Sequence, residues 1–276
     1  MTWRRRDLKR KARGRLRDCY WPAVAVCLLT VMLTGWIGSA GVTAGKFAPE
    51  SSGVEMSEKR LQELKEELRE NNPIAGYKIS IFQEQLNLLL MVFVITATTA
   101  IFLIGLLVIF FIGNPVRVSS KRFFMYNRIR RADAGMILYV FRNHYTVHVT
   151  RVMFIRWVKI VAGSLLFVVP GVIRHYEYSL VPYILAENPE IDSKRALELS
   201  SAMTDGEKMK MFKLDLSFLL WEAASAVTLG MVSAFYVLPY KEFTKAELYH
   251  VLRENALENR LCDYKELPGF DTDLAV

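Results

Sequence analysis

The sequence predicts an all-α fold, a polytopic integral membrane helical bundle, on three observations. The chain has 276 residues, of which 52 % are apolar, and these gather in blocks long enough to cross a bilayer core, which takes ~20 residues of helix. Charged residues sit almost entirely between the blocks. The formal net charge is +8, and its excess lies at the N-terminus and in residues 114–151. A basic excess beside apolar spans sets orientation and attracts anionic lipid before it suggests nucleic acid, so no nucleic-acid partner is expected.

Residues 1–19 form a basic N-terminus carrying Arg4, Arg5, Arg6, Lys9, Arg10, Lys11, Arg13, Arg15 and Arg17. The apolar block from Tyr20 to about Val42 follows. Ser39-Ala40-Gly41 would suit signal-peptide cleavage, but the block is long for such a segment and further spans follow, so it is read as an uncleaved first span with the N-terminus inside. Residues 46–85 are hydrophilic and are assigned to an outside loop. Within it Ser57 opens a helical pattern with Leu61, Leu64 and Leu68 on one face, ended at Asn71-Asn72-Pro73.

The second span, Leu86 to Gly113, has no charged side chain and is closed by Asn114-Pro115. Residues 116–151 then carry eight arginines and lysines against one acid, Asp133, which places them inside. The third block is interrupted at Pro170-Gly171 and the last, Phe212 to Tyr240, at Thr228-Leu229-Gly230. If each interruption is a tight turn, the chain has six spans; if each is a kink, four.

An internal echo favours six. Asn114-Pro115 and Asn188-Pro189 both precede a Ser/Lys/Arg cluster and an amphipathic stretch, and Pro239 precedes Thr244-Lys245 and a polar helix. Residues 20–255 are therefore expected to be one membrane domain, with amphipathic segments 114–150 and 188–210 lying on the inner surface. Residues 256–276 are expected to be a polar cytoplasmic tail.

The string Pro170-Gly171, Tyr178-Ser179-Leu180-Val181-Pro182-Tyr183-Ile184-Leu185-Ala186, Asn188-Pro189-Glu190-Ile191 resembles a bacterial membrane family, domain of unknown function 975. The likeness continues through Leu199-Ser200, Leu214-Asp215-Leu216-Ser217-Phe218, Trp221, Thr228-Leu229-Gly230, Pro239-Tyr240 and Ala246-Glu247-Leu248-Tyr249. It covers most of the chain outside residues 46–85 and the last twenty or so. It implies a six-span helical bundle, similar in layout to the membrane module beside some glycerophosphodiester phosphodiesterases, and it implies no activity. Met209 stands where the family has an aromatic, and Glu222 where it is apolar.

Four cations, Arg117, Lys121, Arg128 and Arg131, fall in one narrow helical arc and are expected to contact lipid headgroups. Asp215 and Glu222 are seven residues apart on one helix face. At membrane depth such acids face a bundle interior, with Arg174, His175 and Glu177 as possible polar partners. His144 and His148 have the i, i+4 spacing of a metal pair but no third ligand, so no metal is expected. The three cysteines, Cys19, Cys27 and Cys262, have neither metal-ligand spacing nor a paired framework. No phosphate loop, dinucleotide fingerprint or nucleophile elbow is present, and no cofactor is expected.

The functional expectation is a non-enzymatic protein of the bacterial cytoplasmic (plasma) membrane. It would act on membrane lipids, a partner membrane protein or a second copy of itself. The alternative is a small transporter or channel component using Asp215 and Glu222.

Overall fold

The computed structural model describes residues 3–43, 73–166, 168–228 and 230–270. Among these the chain is all-helical. It divides into two units, one of residues 1–36 and 109–276, the other of residues 37–108.

The smaller unit is dominated by α3, Pro73–Val108, which follows α2, Tyr20–Thr43. The surface helix expected around Ser57 to Asn72 lies outside the described residues. The helix that was to begin at Leu86 is already formed at Pro73, so the last part of the expected outside loop is helical. Asn114-Pro115 does not end it either. One continuous helical stretch, Ile81–Tyr126, is long and apolar enough to cross a membrane, and it is the one such helix among the described residues.

The larger unit has a body and two protruding hairpins. The body comprises α1 (Arg5–Asp18), α4 (Asn114–Tyr126), α8 (Val181–Glu187), α9 (Ser193–Thr204) and α11 (Leu238–Glu258). A short 3-10 helix, Ala134–Leu138, and α5, Tyr139–Arg142, complete it. Pro115, Pro182 and Pro239 each stand at the second position of a body helix, and at Pro182, which follows a turn, the missing N–H costs no bond. Before Pro115 and Pro239 the helix widens into a π turn, Ile109–Gly113 and Ser233–Val237. The proline ring crowds the carbonyl four residues back, and the wider turn relieves that contact. The echo that the sequence places at Pro115, Pro189 and Pro239 is thus better aligned at Pro115, Pro182 and Pro239.

These three helices meet at the centre. Phe124 packs edge-on against Phe243 at 4.9 Å and Tyr183 stacks on Tyr249 at 5.4 Å. The segment from Asn114, expected to lie on the membrane surface, is therefore a core helix. Val116, Val118, Phe123, Phe124 and Met125 are all buried, and Ser119 and Ser120 allow close approach on the remaining side. In contrast α9 is one-sided. Asp192 caps it through the backbone N–H groups of Lys194 and Arg195, and Ala196, Leu199 and Met203 dock on the body.

The hairpins are fixed by pairings that share a midpoint. Between α6 (Thr146–Leu166) and α7 (Val168–Glu177), Arg156 Nε donates to the Tyr178 carbonyl at 2.7 Å. A side chain at Gly163 would meet Arg174, and one at Gly171 would collide with Ser164. The chain therefore reverses between α6 and α7, and Pro170 and Gly171 lie in the first turn of the returning helix rather than in the reversal itself. Between α10 (Lys208–Val227) and the start of α11, Phe218 meets Tyr240 and Trp221 meets Tyr236, so the second reversal is at Gly230. Gly230 has φ +83°, a left-handed conformation that glycine adopts without strain.

Of the six expected spans, α6 and α7 are the poorest fit. Arg151, Arg156 and Lys159 lie along α6, and α7 has ten residues, or ~15 Å, against a ~30 Å hydrocarbon core.

The stretch expected to be a polar tail is tied to the body as far as Phe270. Leu267 and Phe270 are buried. Arg195 holds Glu266 through two hydrogen bonds of 2.7 and 2.9 Å, which keeps that carboxyl below the usual range. Glu187, itself buried, accepts from Tyr249 Oη at 2.6 Å, Arg253 Nε at 2.7 Å and the Gly269 backbone N–H at 2.7 Å.

Candidate functional site

The four cations of the expected headgroup arc do not share one environment. Lys121 turns inward to Glu242 of α11. Arg128 pairs with Glu247 at 3.0 Å, and Glu247 is buried. Arg131 is exposed, and Arg117 is half-buried. Two of the four thus meet carboxylates from a helix more than 100 residues away, a pairing that periodicity within α4 does not reveal.

Arg117 and Lys121 instead line a cavity of about 160 Å³ between the body and the bases of the hairpins. Arg156 of α6, His175 and Tyr176 of α7, Ser179, Tyr183 of α8, Asp215 of α10 and Lys245 of α11 complete its polar wall. Four cationic side chains and one carboxylate face the same space. Lys245 Nζ lies 3.1 Å from Asp215 Oδ1, and Tyr176 Oη donates to Asp215 Oδ2 at 3.2 Å. Leu180, Pro182, Met211, Leu214 and Leu248 form the apolar part of the wall.

The two acids expected on one face of α10 are separately partnered. Asp215 belongs to the cavity, and Glu222 pairs with Lys241 at 2.7 Å across the hairpin. Arg174 and Glu177 pair with each other at 2.9 Å, and not with either acid. Ser201 Oγ donates to Glu177 Oε1 at 2.7 Å, and Ser200 Oγ donates to the Glu177 carbonyl at 2.7 Å, so Glu177 fastens α7 to α9. His175 is exposed at the cavity rim. His148 bonds the Ile191 carbonyl at 2.9 Å and His144 stands apart with φ +60°. No group of three metal-ligating side chains is found among the described residues.

A second charged surface is formed by α1. Leu8, Ala12 and Leu16 bury one face of it against the body, while Arg4, Arg5, Arg6, Arg10, Arg13, Arg15 and Arg17 remain exposed. Arg5 donates to the Lys213 carbonyl at 3.2 Å and Lys9 to that of Ser217 at 3.4 Å, so α1 runs alongside α10. Lys9 Nζ also sits 4.1 Å above the Phe218 ring. On the same α10, Phe212, Leu216, Leu219 and Leu220 are exposed.

Sequence reasoning missed Arg156, Tyr183 and Lys245 as cavity residues, because they come from three segments that only the fold brings together. Arg156 stands between Arg151 and Lys159 on α6, and its immediate apolar company of Phe154, Ile155, Trp157 and Val158 was the signal available.

No curated protein and no solved structure matches the chain. A family model described as protein of unknown function (DUF975) matches residues 51–256. The match includes the hydrophilic segment that the residue-by-residue likeness left out, and it begins after the basic N-terminus and the first apolar block. Because it covers most of the chain, the protein belongs to the DUF975 family.

Proposed function

We propose that the chain is a non-enzymatic integral membrane protein of the bacterial cytoplasmic membrane whose inner face engages anionic lipid. The observation that carries this reading is the position of α1, with its exposed arginines beside the exposed apolar face of α10. Headgroup and acyl chain meet at such a boundary, and each Lys or Arg near an anionic surface contributes about 1 kcal/mol. The α1 side chains have few acids to satisfy them. Asp7 takes Arg10 at 3.1 Å.

In this arrangement α2 and α3 cross the bilayer, α1 and the body lie inside, and the two hairpins enter from the body's side. α2 has 24 residues and no charged side chain. The α6–α7 hairpin turns back within the bilayer, since its second arm is too short to cross. α10 has the length to cross, with Glu222 neutralised by Lys241 on the way. The lipid reading is favoured over transport because both α10 acids already hold a lysine.

The test is lipid selectivity of the full chain in nanodiscs, read from the association of spin-labelled phosphatidylglycerol relative to phosphatidylcholine. The wild type is expected to prefer the anionic lipid, in a salt-dependent manner. Replacing Arg4, Arg6, Arg10 and Arg17 by Gln should bring the ratio towards parity. An unchanged ratio would sink the role given to α1.

A further inference from the structure

We infer that the cavity lined by Arg117, Arg156 and Tyr183 binds a phosphate-bearing anion. This goes beyond the surface attraction attributed to α1 and uses different residues.

The inference starts from charge that the protein leaves without a direct partner. Of the four cations facing the cavity, Lys121 is taken by Glu242 and Lys245 by Asp215. Arg117 makes no hydrogen bond or ion pair among the described residues, and the acid whose charge acts on it, Glu242, is already held by Lys121. Arg156 spends Nε on the Tyr178 carbonyl, and its two Nη groups have no partner there. Two guanidinium groups therefore share one small cavity without a carboxylate of their own. Removing a charge from water is costly unless it is paired, so an arrangement of this kind is stable when an anion supplies the missing partner.

The neutral donors agree. Tyr183 is buried, and its hydroxyl has no hydrogen-bond partner. Buried hydroxyls are normally satisfied, and an unsatisfied one in the same wall as two guanidinium groups fits an acceptor in that space. The wall is rich in donors; its lining carboxylate, Asp215, is paired with Lys245 and accepts from Tyr176 through Oδ2, while its Oδ1 accepts no hydrogen bond.

A single carboxylate ligand would satisfy one fork. A phosphate group presents three or more oxygens, enough for two arginines and the tyrosine hydroxyl together. The cavity, about 160 Å³, has room for a phosphate group, since a water molecule occupies ~30 Å³ of liquid. A larger ligand would extend outwards from it. The cavity reaches the surface at His175, and Tyr176 in its wall packs edge-on against the exposed Phe212 at 6.2 Å. The same chemistry serves a phospholipid headgroup, its tails along the apolar hairpins, and a free phosphate or phosphorylated solute.

The experiment uses purified full-length protein in uncharged detergent. One arm titrates inorganic phosphate by calorimetry; the other counts retained phosphatidylglycerol by native mass spectrometry. Binding in the first arm assigns a free phosphate, and binding in the second alone assigns a headgroup. The double variant Arg117→Gln, Arg156→Gln should weaken the observed binding about tenfold or more, as expected for lost charged hydrogen bonds. Asp215→Asn removes the one acid of the wall and should tighten it, an effect of opposite sign that misfolding cannot imitate. Neither arm binding to the wild type overturns the inference. So does a folded double variant that binds like wild type, or Asp215→Asn with unchanged or weaker binding.

Discussion

In the body, Glu187 is closed off from water and holds an arginine, a tyrosine and a backbone amide. On the hairpins, Leu165 and Leu220 stand 82 % and 81 % exposed. The two regions are made of the same α-helices and nearly the same apolar residues, and they differ in what each has turned outward. The body holds charged pairs inside it and has a charged exterior. The arms bury their contacts along the hairpin seam and present mainly apolar side chains elsewhere, with Lys159, Lys213 and Glu222 exposed among them. An exposed apolar area of this extent marks an interaction surface, and in the proposed reading a bilayer covers it and also accounts for the cations at its foot.

That contrast can be broken most severely in the body. Glu187→Ala leaves the half-buried Arg253 with the Leu267 carbonyl but no carboxylate, and should cost about 3 kcal/mol, the lower end for breaking a buried pair. Thermal unfolding in detergent measures it, and a loss under 1 kcal/mol would show that the charge cluster is not structural. A smaller loss is expected where the arms depend on packing. Gly171→Val forces a side chain into Ser164 and should cost about 1–3 kcal/mol by overpacking, separating α6 from α7. Crosslinking of cysteines placed at residues 161 and 172 would follow the opening, and undiminished crosslinking would refute the seam.

A graded effect concerns acid. His250 Nε2 lies 2.8 Å from Glu254 Oε1, where the neutral ring donates its proton. Burial, and then the charges of Arg128, Arg253 and Lys11, push its pKa well below the usual value. The unfolded chain then binds a proton near pH 6.5 that the folded chain refuses, so the full stability is present above that pH and falls as pH drops below it. His250→Gln should flatten the fall in melting temperature between pH 6.5 and 5, and an unaltered slope would assign it to other groups. The least effect is expected at the hairpin tip. Leu165→Ala, exposed in the protein, should change stability by under about 0.5 kcal/mol in detergent.

The parts of the fold that were legible in the sequence are those set by local chemistry. The charge-free run up to Gly113 predicted the long apolar helix. The reversal at Gly230 follows from a glycine between apolar blocks, whereas Pro170-Gly171, the other expected turn, lies inside the returning helix. Segment 188–210 was legible as amphipathic and expected on the inner surface; its apolar residues Ala196, Leu199 and Met203 pack on the body in α9. What was not legible depends on distant partners. The basic arc of α4 suggested headgroups because nothing near it in sequence is acidic, yet Lys121 and Arg128 meet Glu242 and Glu247 of α11. Residues 256–276 read as a polar tail because their anchors, Leu267 and Phe270, are few and widely spaced. The cavity draws on α4, α6, α7, α8, α10 and α11, and so no window of the sequence contains it.

The most direct test of the membrane reading is the placement of the α6–α7 tip. In a background with Cys19, Cys27 and Cys262 replaced by Ser, Leu165→Cys and the exposed Lys194→Cys are labelled with a membrane-impermeant thiol reagent. The account predicts that Lys194→Cys reacts once cells are opened, while Leu165→Cys reacts only after detergent. Reaction of Leu165→Cys in opened membranes would place the tip in water on the body's side, and reaction in intact cells would place it across the bilayer; either contradicts a hairpin that enters the membrane and turns back.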